Sequence, residues 1–165
     1  MKRSQIEQTH TLAVVVENKA GVLARVAGLF ARRGFNIESL AVAPFDDRFS
    51  RITIVVDALS APIDQITKQL DKLIDVVAIT QLDTASSAVR EMVLVRLDVP
   101  SEDKVAEVHQ LVDGFSGSVI RVRGTQMMIS LSSRPLELDE FVEKLMPFGI
   151  EELQRTGAIA IPGIE

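Results

Sequence analysis

No cysteine occurs anywhere in the 165 residues. That absence removes disulfide frameworks, thiolate metal sites and cysteine nucleophiles together. Also missing is any apolar run of the roughly 18 residues that a membrane-spanning helix takes. The start, Met1-Lys2-Arg3-Ser4-Gln5-Ile6-Glu7-Gln8, has neither the apolar stretch nor the small-residue cleavage site of a signal peptide, and its acidic residue argues against a transit peptide. A cytoplasmic location is the expectation. A concentration of positive charge is lacking too. Residues 1–83 carry 10 basic and 10 acidic side chains and residues 84–165 carry 8 and 13, so the net charge of −5 lies in the second half. Phosphate-backbone binding needs clustered Lys and Arg on one face, which makes nucleic acid a poor candidate partner.

What remains is ordinary for a globular chain, with 47% apolar and 25% charged residues in a length that suits one medium domain or two small ones. The order of the apolar patterns decides for two. Thr9 to Glu17 reads as a buried strand, and Val22, Leu23, Val26, Leu29 and Phe30 then recur at helical spacing before a basic turn, Arg32-Arg33, and the stop at Gly34. Phe35 to Ala43 and Phe49 to Asp57 read as strands joined through Asp46-Asp47-Arg48. Ile63, Ile66, Leu70 and Leu73 mark a second amphipathic helix, and Val76 to Leu82 a fourth strand.

The same order follows again. Met92 to Val99 is strand-like, and Val105, Val108, Leu111 and Val112 mark a helix starting near Ser101. Ser118–Val122 and Met127–Leu131 predict a hairpin across Arg123-Gly124-Thr125-Gln126. Leu138, Phe141, Val142 and Leu145 define a last helix, ended near Pro147 and Gly149 before a strand from Ile150 to about Ile161. Thr84-Ala85-Ser86-Ser87-Ala88 is the natural linker. The expected class is therefore α+β, two ferredoxin-like βαββαβ domains, 1–83 and 84–165, each an antiparallel sheet with helices on one face. Ile37, Leu40 and Val42 line a candidate edge strand, which makes dimerisation plausible.

The segment Glu17-Asn18-Lys19-Ala20-Gly21-Val22-Leu23 takes the chain from a strand into a helix through a glycine. Backbone amides near Ala20, Gly21 and Val22 should point out of a helix start, where the dipole favours a carboxylate. Gly21 lets a ligand approach the backbone, and Asn36 offers an amide that suits either end of an amino acid zwitterion. The plainer account is that Asn18 satisfies its own turn and Asn36 caps a strand. Spacing alone leaves both open.

Glu17-Asn18-x-x-Gly21-Val22-Leu23-x-Arg25-Val26, followed by Gly28-Leu29-Phe30-x-Arg32-Arg33-Gly34-Phe35-Asn36-Ile37-Glu38-Ser39-Leu40, resembles the ACT domain of acetolactate synthase small subunits. Ser50-Arg51-Ile52-Thr53-Ile54 and the stretch from Gln65 to Val76 extend the resemblance, and Arg90-Glu91, Pro147-Phe148-Gly149-Ile150 and Arg155-Thr156-Gly157 carry it through the second half. The resemblance implies a non-catalytic regulatory subunit, homodimeric through its ACT domains. It also implies binding of valine, or leucine or isoleucine, and activation and feedback inhibition of a catalytic large subunit. No cofactor is implied on this chain; thiamine diphosphate, magnesium and FAD are implied on the catalytic partner. Carried over by position, the effector site comprises Asn18, Ala20, Gly21, Val22, Leu23, Asn36 and Ile37. Ala20 stands where proline is common in the family, and Ser116 where arginine is common.

Elsewhere the chemistry is sparse. His10 and His109 have no second metal ligand at a recognisable spacing, and His109 lies beside an apolar stripe. Met127-Met128 reads as a hairpin strand giving one methionine to the core, and the carboxylates at Glu137–Glu143 and Glu151-Glu152 read as solvated surface. Two other uses of the architecture compete. A small acylphosphatase would want an arginine in the first loop, where this chain has Glu17 and Lys19. A two-ACT regulator of another protein would keep the amino acid site but not a synthase partner.

Overall fold

The computed structural model describes residues 9–59, 62–83 and 85–164. The reading of Met1–Gln8 and the first residue of the expected linker, Thr84, lie outside them. Strand β1, Thr9–Glu17, is rich in Thr and Val, whose branched Cβ suits a pleated surface. Helix α1, Val22–Arg33, buries Val22, Val26, Leu29 and Phe30 on one stripe. It ends at Gly34, in the left-handed region at φ 68°, where the Gly34 and Phe35 amides donate to the carbonyls of Ala31 and Phe30. Phe35 closes that cap and packs edge-on against Phe30, at 5.9 Å between ring centroids, so β2 runs Ile37–Pro44 and not from Phe35.

β3, Phe49–Asp57, returns after a turn in which Asp46 Oδ1 accepts the amides of Arg48 and Phe49, each at 2.7 Å. Helix α2, Ile63–Leu70, buries Ile66 and Leu70. Leu73, expected on it, lies in the turn beyond and still packs against the core. β4, Val76–Leu82, completes an antiparallel sheet in the order β2-β3-β1-β4.

The second run begins with β5, Ala88–Asp98, longer at its start than the apolar pattern predicts. Then come α3, Glu102–Gly114, β6, Ser118–Arg123, β7, Gln126–Ser133, and α4, Pro135–Leu145. A single 3-10 turn, Met146–Phe148, leads to β8, Ile150–Arg155. The order β6-β7-β5-β8 repeats the first sheet, so both halves are ferredoxin-like. Each has its own core: Leu12, Val14, Ile52 and Ile54 against α1 and α2, and Val93, Val95, Ile129 and Phe141 in the second. Met127 enters that second core while Met128 stays exposed, as the pattern predicts.

The expected last strand is divided. β8 stops at Arg155, Gly157 takes φ 81°, and a short β9, Ile159–Ile161, pairs with β5. Two compact units result: Arg90–Gly157 is one, and the residues up to Val89 together with those from Ala158 onward are the other. These limits do not coincide with the expected division at residue 84. The reason is local, since a left-handed glycine turns the chain out of β8 and the small side chains of Ala158 and Ala160 bury in the first unit.

Candidate functional site

Helix α1 begins without a side-chain cap. Gly21 occupies the N-cap position at φ 86°, a left-handed conformation that glycine adopts without a Cβ penalty, and a Cβ added there would lie 3.2 Å from Arg25 Nη1. The Val22 amide donates to the Lys19 carbonyl at 3.3 Å, and the Lys19 amide to Glu17 at 2.9 Å. The amides of Ala20, Gly21, Leu23 and Ala24 have no acceptor among the described residues. Val22, expected to contribute a free amide, is thus engaged and its side chain buried, while the amides of Ala20 and Gly21 are free as expected and those of Leu23 and Ala24 join them at the helix start.

The loop is held from three sides. Asn18 donates its amide to the Arg48 carbonyl at 2.7 Å and accepts the Ser50 hydroxyl on Oδ1 at 3.2 Å, so the side chain is tied to the β3 start. Glu17 donates its amide to the carbonyl of Asp75, whose carboxylate receives Arg25 Nε at 2.7 Å. Asp75 is buried and Arg25 half-exposed, which braces α1 against the entry to β4. Patterns of apolar spacing miss this pair; the signal available was an acid in an otherwise apolar strand entry. The Lys19 ammonium pairs with Glu17 at 2.7 Å, and that hydrogen bond, with the accompanying charge attraction, raises its pKa.

Asn36 and Ile37 lie elsewhere. Ile37 pairs with Val56 near the end of β3, whereas Glu17 pairs with Phe49 at its start. Seven residues at 3.4 Å separate those positions by roughly 24 Å. Within one chain Asn36 therefore does not face the glycine loop, because antiparallel register puts the start of β2 beside the start of β1. Asn18, Ala20, Gly21, Val22 and Leu23 share one end of the sheet; Asn36 and Ile37 share the other. At that second end Asn36 is exposed, donates its side-chain amide to Glu38, and accepts the Asp57 amide on its carbonyl at 3.2 Å.

His10 and His109 are half-buried, and no group of three His, Asp or Glu capable of holding a metal occurs among the described residues. No helix among them is long and apolar enough to cross a membrane.

Two ferredoxin-like units, the first opening α1 on an uncapped glycine loop, define a regulatory protein of the ACT class. The model of the AHAS small subunit-like ACT domain matches residues 12–78, and that of the small subunit of acetolactate synthase matches 90–163. The chain is 44% identical over 156 residues to the acetolactate synthase small subunit of Mycobacterium bovis, covering 93% of this chain and 92% of that one. It is 43% identical over 153 residues to the probable acetolactate synthase small subunit of Archaeoglobus fulgidus, covering 92% and 95%. The crystal structure of the acetolactate synthase small subunit from Thermotoga maritima superposes with a TM-score of 0.88 at 36% identity, covering 96% of this chain and 99% of that one. The chain belongs to the acetolactate synthase small-subunit family, non-catalytic regulatory subunits whose partner is the catalytic large subunit. That assignment sets aside the acylphosphatase reading, which the Glu17–Lys19 pair in the first loop already disfavours.

Proposed function

We propose that this chain senses valine, activates the catalytic subunit on assembly, and imposes feedback inhibition when the effector binds. The reading assigns effector binding and dimerisation to residues 1–83 and contact with the catalytic subunit largely to residues 84–165. It places thiamine diphosphate, magnesium and FAD on the catalytic partner, and the complex in the cytoplasm.

The observation that carries it is the uncapped start of α1, where Ala20, Gly21, Leu23 and Ala24 present amides with no acceptor among the described residues. A helix start of this kind favours a carboxylate. Leu23, exposed beside it, gives an aliphatic effector side chain an apolar neighbour. Asn36 and Ile37, at the far end of the sheet, join the same site when they come from a second chain. The reading is thus a homodimer in which each pocket is lined by the glycine loop of one protomer and the β2 start of its partner. Edge strand β2, with Leu40 and Val42 along it, supports such pairing.

Calorimetry with valine, leucine and isoleucine tests the sensor, and reconstitution with the catalytic subunit tests the control. The expected result is saturable binding by valine and a matching fall in acetolactate formation. Failure of all three amino acids to bind the folded chain would overturn the reading.

A further inference from the structure

A ferredoxin-like sheet with both helices on one face should leave its other face open. In the first unit it is not open. Leu12, Val14 and Val16 point into the helix-side core, yet Thr11 and Ala13, which alternate with them on β1, are buried as well, and so is Thr53 on β3. The cover includes the chain's own C-terminal segment, since Ala160 and Val89 close on Ala13 and Leu82. Ala158 is buried, and its amide donates to the Ser39 hydroxyl at 2.8 Å. Further along, a Cβ at Gly163 would come within 1.9 Å of the Ser86 carbonyl oxygen, so only glycine permits that approach.

Ser39 has a particular position. It follows the β-bulge at Glu38, where the pairing of β2 with β3 shifts register between Ile37 and Ser39. Bulges re-aim the side chains beside them. Two residues upstream is Ile37 and three upstream is Asn36, the half of the effector site described above. On the other side of the hydrogen bond, Ala158 follows directly on Gly157, Thr156 and Arg155. Thr156 exchanges hydrogen bonds with Met92, donating its amide at 3.1 Å and accepting the Met92 amide on its hydroxyl, also at 3.1 Å. The strap thus leads from the second unit's sheet to the bulge beside the effector residues.

We propose that residues 158–161 form a coupling strap, and that the Ser39 hydroxyl is where effector occupancy at Asn36 and Ile37 is passed to the segment that continues from β8. The proposal rests on the sensor reading above and adds the route by which it acts. The strap is held along Ile159–Ile161 by strand pairing with β5, and at its start the Ala158 amide ties it to β2 through the Ser39 hydroxyl. A ligand that changes the geometry of β2 beside Ser39 acts on that tie and so on the start of the strap.

The test uses the full chain, alone and with the catalytic subunit. Ser39→Ala removes the acceptor, Ser39→Thr retains it, and Ala158→Pro removes the donor from the opposite side. Valine should slow amide exchange at residues 34–41 and also at 158–161 in the unmodified protein. Ser39→Ala should bind valine within about twofold of normal by calorimetry, while exchange protection of 158–161 falls about threefold to tenfold, the range of one hydrogen bond. That protection should no longer respond to valine, and the reconstituted synthase should keep its activation but lose most of its inhibition. Ala158→Pro should behave alike and Ser39→Thr should restore the response. Valine binding with full strap response and normal inhibition in Ser39→Ala overturns the coupling role alone. Loss of valine binding in a folded Ser39→Ala also overturns it, by making Ser39 part of the site. If the unmodified chain binds none of the three branched-chain amino acids, the sensor reading falls and the strap's role falls with it.

Discussion

Gly21 holds φ 86° at the head of α1, where any L side chain costs about 1–2 kcal/mol. Gly21→Ala isolates that cost and should lower stability by about that amount, with a tightened contact to Arg25 Nη1 at 3.2 Å. Gly21→Asp bears the same strain and adds a negative charge among the acceptor-free amides, where an effector carboxylate is expected. Part of its strain is offset, because Arg25 and the helix dipole both favour an acid there. Gly21→Asp should therefore unfold no lower than Gly21→Ala, and the two should separate in function. With Gly21→Asp the reconstituted synthase should be activated yet insensitive to valine, whereas Gly21→Ala should retain a weakened response. Thermal denaturation by circular dichroism and a valine titration of acetolactate formation check both. Equal valine sensitivity in the two would take the carboxylate away from this loop. The glycine loop was legible because strand, turn and helix signals abut within seven residues. Its Arg25–Asp75 brace was not, since 50 residues separate the partners and apolar spacing carries no information on ion pairs.

At the scale of elements, helix α3 ends in a way its sequence does not advertise. Ser116 is the only described non-glycine residue with positive φ, 58°, and it sits where the Ser116 and Gly117 amides close back on Asp113 and Val112 at 2.9 and 2.8 Å. Glycine is the usual occupant of such a cap. Ser116→Gly should raise stability by about 0.5–1 kcal/mol, read from urea denaturation midpoints, and leave activation unchanged. The neighbouring Gly117 permits no such freedom, because a Cβ there would meet Val112 at 3.0 Å and the Ser130 carbonyl at 3.1 Å. β5 carries a second exception. Its inward positions run Glu91, Val93, Val95 and Leu97, and the acid is kept by Arg155, which pairs with Glu91 at 2.7 Å and also with Asp139. Burial works against the guanidinium charge, but the hydrogen bonds to Asp139 and Glu91 overcome it and raise its pKa. Its charge is therefore present at every pH the fold meets, and would be lost only above the ordinary arginine range. Arg155→Met removes the cation from a carboxylate whose side chain is 2% exposed, and should cost about 3 kcal/mol or more at neutral pH. Recovery of most of that loss in Glu91→Met/Arg155→Met would confirm the unpaired acid as its source. Alternation predicted the strand and its core face, but the ion cluster joins residues 64 positions apart and stays invisible in sequence. The division of the last strand was missed for a related reason, as Ala158 and Ala160 are too small to stand out in an apolar pattern.

Taken as a whole molecule, the chain holds the two halves of the proposed effector site at opposite ends of one sheet, roughly 24 Å apart along β3. The sequence shows which segments carry the two proposed halves, though it starts β2 two residues early, and it does not place them in space, because register belongs to pairing and not to either strand. A pocket that needs both halves must then be built by two chains, and this has a consequence that no single-chain site shares. Gly21→Asp disables the loop half and Asn36→Ala disables the β2 half, so each homodimer should lose valine binding. Mixing the two proteins and allowing subunits to exchange produces heterodimers in which one pocket pairs a mutated loop with a mutated β2 start. The other pocket pairs an unmodified loop from the Asn36→Ala chain with an unmodified Asn36 from the Gly21→Asp chain. Random exchange makes half of the dimers mixed, each with one intact pocket of two, so about a quarter of the normal number of sites should return with near-normal affinity. Calorimetry on the mixture, with light scattering to establish the dimer, measures that recovery directly. If both halves instead served one chain, no pairing of the variants could rebuild a pocket. A mixture that binds no more valine than its separate components would then show that the site is not shared, and a monomer that binds at full affinity would show the same.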